Sequence, residues 1–130
     1  MQTFRPGDVD LEATSSAAQG FGPGSGPGSP VTRSEARIES RDRGLRSGVW
    51  ESGPGAADYV FSVDEWACIL DGEATVIAAG VTHELRAGDV FYTPAGEPMS
   101  WTVPHFVRKV WVHRRPPLLA RIRRKLAHLR

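Results

Sequence analysis

The chain has 130 residues, 40% of them hydrophobic and 24% charged, with a formal net charge of +1 at pH 7, which is the composition of one ordinary globular domain and singles out no chemistry. Residues 1–113 hold nine Lys/Arg against 15 Asp/Glu, whereas residues 114–130 hold seven Lys/Arg and no acid, so the near-neutral total hides a basic tail. Cys68 is the only cysteine, which excludes an internal disulfide and leaves a cysteine-based metal site without partners.

The chain begins MQTFRP, without the apolar core of a signal peptide, and no run approaches the roughly 20 apolar residues of a membrane span. A cytoplasmic protein is expected. Residues 20–30, GFGPGSGPGSP, have too little apolar surface to offset the entropy of ordering, so residues 1–30 read as a disordered Gly/Pro/Ser-rich arm. Residues 31–45 are a lead-in segment with room for an edge strand. From there short runs of strand-forming residues are expected at 36–40, 47–52, 57–61, 65–71, 73–79, 81–86, 89–93, 98–103 and 106–113. The intervening SGPGAAD, LDGEA, AAGVT, RAGD and PAGEP each carry the glycine that a tight turn favours. Many short strands at close spacing predict an all-β sandwich or barrel, placed at 46–113. In residues 114–130, Leu118, Leu119, Ile122, Leu126 and Leu129 recur at helical spacing beside Arg121, Arg123, Arg124 and Lys125, which predicts a basic amphipathic helix. Its apolar stripe suits docking on the barrel or a second subunit; its cations suit an anionic membrane surface or nucleic acid.

Two spacings carry a family resemblance. Gly53, Tyr59, Phe61, Glu65 and Gly72 stand at the intervals of the first cupin motif, and Gly88, Pro94, Gly96, Met99 and Val103 at those of the second. With GVWESGPG, DEWACILDGEATV, GDVFYTPAGEPMSW and VRKVWV, residues 45–113 resemble the small cupins grouped as the (S)-ureidoglycine aminohydrolase cupin-domain family. The resemblance implies an RmlC-like jelly-roll barrel. It also implies a divalent metal on three histidines and a carboxylate, but those histidine positions hold Tyr59, Phe61 and Met99, and only Glu65 remains. Phenylalanine ligates nothing and a thioether suits only soft ions, so no metal and no cofactor are expected.

Alternation along strands places Tyr59 with Phe61, Met99 with Trp101, and Glu65 with Ala67 and Ile69 on the inner face, while Trp66, Cys68 and Leu70 face outward as an apolar contact for a homodimer. An ionised Glu65 among aromatic walls needs a hydrogen bond or a cation, and Lys109 is the expected partner, though parity alone leaves the inner face of its strand open. Tyr59, Phe61, Glu65, Met99, Trp101 and Lys109 are therefore the candidate ligand-binding residues, and Glu65 also the candidate catalytic one. His83, His105, His113 and His128 match no motif position and read as surface or structural residues.

Three functions stay open. The barrel is expected to bind a small polar molecule in a metal-free pocket. It could instead house an aminohydrolase-like reaction in which Glu65, with a pKa raised by apolar walls, moves protons. Thirdly, a barrel filled by its own side chains would leave a dimeric scaffold whose basic helix meets an anionic partner.

Overall fold

A computed structural model describes residues 1–11 and 29–127. Eight strands form two antiparallel sheets that share one strand: β1 (Thr32–Glu39), β2 (Leu45–Ser52), β3 (Gly55–Val60), β4 (Asp64–Ala78), β5 (Val81–Arg86), β6 (Val90–Thr93), β7 (Pro98–Val103) and β8 (Val107–Arg114). The first sheet runs β1-β2-β8-β4-β6 and the second β3-β7-β4-β5. The two sheets curl into a jelly-roll barrel, the architecture that the sequence resemblance implies.

The aromatic and aliphatic residues at alternate positions bury the space between the sheets. Trp50, Ala67, Ile69, Val107 and Trp111 of the first sheet meet Tyr59, Ala74, Val76, Met99, Trp101 and Val103 of the second. On β7 and β8 the alternation is unbroken, which is what half-buried antiparallel strands require.

The sequence suggested two strands, 65–71 and 73–79, joined by a turn at LDGEA, but β4 is continuous through it. Its inner row runs Glu65, Ala67, Ile69 and then Ala74, Val76, so the buried parity changes from odd to even. The register against β8 slips between Ile69 and Asp71, and Gly72 takes φ +76. A bulge adds one residue, bends the strand and resets which side chains face in. Asp-Gly favours positive φ in a hairpin turn; here the same preference serves the corner where β4 passes from one sheet to the other. The true two-residue hairpin is Ala79-Gly80, both at positive φ, between β4 and β5.

Other boundaries also moved. β1 begins at Thr32, four residues before the expected strand, and is the edge of its sheet. The leading residues, expected to be loose, lie on the sheet over residues 1–11: a 3-10 turn at Pro6–Asp8 is followed by Val9 and Leu11, buried with Val49. Arg108 donates to the carbonyls of Pro6 and Val9 while pairing with Glu51. All but the last two residues of GFGPGSGPGSP lie outside the described residues. The C-terminal helix α1 spans Leu118–Ala127, later and shorter than 114–130, with Ile122 and Leu126 exposed; residues 128–130, including His128 and Leu129, lie outside the described residues. No described helix is long and apolar enough to cross a membrane. Trp66 and Leu70 face outward as expected, Trp66 against Tyr92 with ring centroids 4.5 Å apart.

A methyl group added at Gly72 meets the Phe106 carbonyl oxygen at 1.9 Å, whereas at Gly80, with nearly the same φ of +74, nothing lies within 4 Å. Gly72→Ala should therefore cost at least about 2 kcal/mol in urea unfolding, and Gly80→Ala only the backbone strain of about 1 kcal/mol. Equal costs for the two would remove the corner role of Gly72.

Candidate functional site

Glu65 begins the inner row of β4 and lies opposite His113 of β8 on one side and Thr93 of β6 on the other. Lys109 stands two inner-facing positions along β8, opposite Ile69. Four residues of strand are about 13 Å, so the lysine stem must run lengthwise inside the barrel to reach the carboxylate. It does so: Lys109 Nζ donates to Glu65 Oε1 at 3.0 Å, and His113 Nε2 lies 2.7 Å from Oε2. Glu65 is fully buried and Lys109 is 2% exposed.

The expected Glu65–Lys109 pair is thus present, with Val107, Lys109, Trp111 and His113 all facing inward on β8. Four rings surround the ammonium. Its nitrogen is 4.7 Å from the centroid of Trp50, 4.8 Å from Trp101, and 5.7 Å from both Phe61 and Phe91. Ring quadrupoles attract a cation most strongly where water is excluded, so the rings and the carboxylate together replace the hydration that Lys109 gives up.

His113, set aside on motif grounds, belongs to this group. It stacks on Trp111 at 4.3 Å and lies 5.7 Å from Phe61, centroid to centroid. Its parity with Lys109 on VRKVWVH was the signal that could have found it. Trp50 and Phe91 were also missed, and they sit opposite Lys109 and Ala67 in the ladders.

Burial raises the pKa of Glu65, but the charge of Lys109 and the hydrogen bond from His113 outweigh it and hold the carboxyl below its ordinary value of 4.5. This corrects the expectation of a raised pKa. Both of its oxygens are engaged. An ionised carboxylate only accepts, so His113 must present its Nε2–H to it. Tyr59 takes no part in these bonds; burial pushes its phenol up to about 12.

Five of the six residues singled out in sequence line one or both of two spaces in the barrel interior. Tyr59, Phe61, Trp101 and Lys109, with Trp50, line a crevice that holds no water-sized space. Met99 and Trp101 line a separate cavity of about 210 Å³. Its walls are Val76, Leu85, Phe91, Met99 and Trp101, with the buried Thr93 and, towards the outside, His83 and Glu97. β4 and its partners build it: Trp101–Val76–His83 and Met99–Ala78–Val81 are cross-strand rows of the second sheet. Glu65 lines neither space.

The cupin fold implies a metal, and the residues present do not fit one. Among the described residues no three His, Cys, Asp or Glu side chains converge. The remaining carboxylate is bonded to an ammonium, and a second cation there would face its charge directly.

Removing the carboxylate leaves a buried cation unmatched, which costs about 3 to 5 kcal/mol. Glu65→Ala should lose that much in urea unfolding, and Glu65→Gln/Lys109→Met should regain most of it; a double variant as unstable as the single would refute the pairing. Acid titration gives a second check. Because the folded pKa lies below the unfolded one, the unfolded chain binds more protons in that window, and the contribution of Glu65 is complete above about 4.5 and lost as pH falls through the folded value. Wild-type stability should fall over this acid range more steeply than that of Glu65→Gln.

The sequence matches the EutQ-like cupin domain over residues 39–111. No curated protein matches it. Among solved structures it is similar to the EutQ protein of Clostridium difficile, with TM-score 0.69 and 18% identity over 87% of this chain and 86% of that one. The Cnp3 cupin domain of Schizosaccharomyces pombe has TM-score 0.66 and 18% identity, over 95% and 80%. A Pseudomonas syringae protein of unknown function has TM-score 0.61 and 27% identity, over 68% of this chain and 38% of that one. These likenesses carry the cupin half of the expected resemblance, without the ureidoglycine aminohydrolase half. Matched through more than half its length, from the end of β1 to Trp111 of β8, the chain belongs to the EutQ-like cupin domain family.

Proposed function

We propose that the barrel is a metal-free binding module that takes a small molecule into the cavity between β4, β5, β6 and β7. The observation that carries this is the cavity itself. It is concave and mostly apolar, with a few polar groups at fixed places, as ligand sites are. At about 210 Å³ it is smaller than the roughly 300–1,000 Å³ typical of small-molecule pockets, so the ligand is compact. Trp101, 3% exposed, forms part of its wall. An aminohydrolase-like reaction has less support: the metal positions are lost, and Glu65 is held ionised away from the cavity.

Isobutanol, a neutral compact probe, should bind at millimolar concentration and shift the NMR signals of Val76 and Met99. Ala78→Phe should fill the cavity and abolish those shifts while the variant still unfolds cooperatively. Shifts that survive the substitution would place binding elsewhere. Separately, purified protein should carry no stoichiometric manganese, iron or zinc by elemental analysis; metal that disappears on mutating Glu65 would overturn the metal-free reading.

A further inference from the structure

The charges around the cavity point to one class of ligand. Of the described side chains that line it, Glu97 is the one carboxylate, and no Lys or Arg is among them. The nearest buried cation, Lys109, is already matched by Glu65 and stands behind the rings of Trp101 and Phe91. Glu97 is half-buried on the segment between the PAG turn and β7, where its backbone N–H closes on the Pro94 carbonyl. That fixes the carboxylate's root at the cavity. His83 enters from β5, opposite Val76.

We infer that the cavity takes a small organic ammonium, its short apolar body between Val76, Leu85, Phe91, Met99 and Trp101 and its cationic head at Glu97. Charge decides the class. A carboxylate or phosphate ligand would meet one carboxylate and no Lys or Arg among the described lining residues, whereas an ammonium would meet an opposite charge. Thr93, 5% exposed, is a further polar residue of the wall. This inference rests on the cavity reading above and adds to it the sign of the ligand.

Three probes of nearly one shape separate the cases: isobutylammonium, isobutanol and isobutyrate, titrated by NMR into the full chain at about pH 8, above the ordinary histidine range and below that of alkylammonium groups. The ammonium should bind tightest and the carboxylate weakest. Glu97→Gln should weaken the ammonium about tenfold, the loss expected for one charge-assisted hydrogen bond, and leave isobutanol unchanged. Isobutanol or isobutyrate binding as tightly as the ammonium, or an ammonium affinity indifferent to Glu97→Gln, would overturn the assignment while leaving the cavity as a binding site. Failure of all three probes to bind would overturn the cavity reading as well. Glu97 is absent from the Glu65–Lys109–His113 group, so an unfolded variant is not expected; a cooperative melt of Glu97→Gln near that of wild type verifies this.

Discussion

A carboxylate sealed inside an apolar barrel sets the terms for most of this structure. Moving an ion out of water costs several kcal/mol even after relaxation, so a buried Glu65 demands a cation and a second donor. The chain supplies both from one strand. Lys109 and His113 stand four residues apart on β8, and the carboxylate bridges them. Once the ammonium is inside, it too must be compensated on the sides the carboxylate does not reach, and the four surrounding rings come from β2, β6, β7 and the residue that follows β3. One buried charge thereby fixes the inner residues of most of the barrel.

The bulge at Gly72 decides where this packed region ends. Before it, β4 contributes Glu65, Ala67 and Ile69 to the first sheet; after it, Ala74 and Val76 to the second. Without the parity reset, Glu73 and Thr75 would take inner positions in the second sheet and bring a further charge inside. With it, that half is lined by small and aliphatic residues, and the cavity opens there. The barrel therefore has a closed, charged end and an open, apolar end, and Trp101 is the wall between them, touching the cavity on one side and the crevice beside Lys109 on the other.

Much of this was legible in the sequence, and the failures have physical causes. The strands were visible because alternation and glycine turns are local signals. The Glu65–Lys109 pair could be anticipated from the cost of an unmatched charge, although the choice of inner face on β8 needed the family resemblance. His113 was lost because motif positions were weighted above parity, and three aligned residues, Lys109, Trp111 and His113, already shared a face. The LDGEA turn was misread since Asp-Gly prefers the same backbone region in a bulge as in a hairpin. The cavity was beyond reach: it depends on which side chains fail to fill space, and nothing in a linear pattern reports a gap. Residues 1–11 were discounted because of the Gly/Pro/Ser composition of residues 20–30, yet two apolar side chains, Val9 and Leu11, suffice to hold them against Val49.

A cation carried on a side chain differs from a bound metal in what it permits. A metal ion offers open coordination positions at which a substrate can be polarised. An ammonium has three N–H donors and no such position, and here it is enclosed by a carboxylate and aromatic rings. The electrostatic demand of the cupin carboxylate is met, but at the point where a metal-binding relative would do chemistry this barrel has a packed, neutralised core. The space that remains lies against the second sheet, with Glu97 among its lining residues. Tyr59, Phe61 and Met99 stand where the histidines of the cupin motifs would be, and Phe61 is one of the rings around Lys109, so a residue that takes a ligand position also lines the apolar surroundings in which the internal ion pair sits.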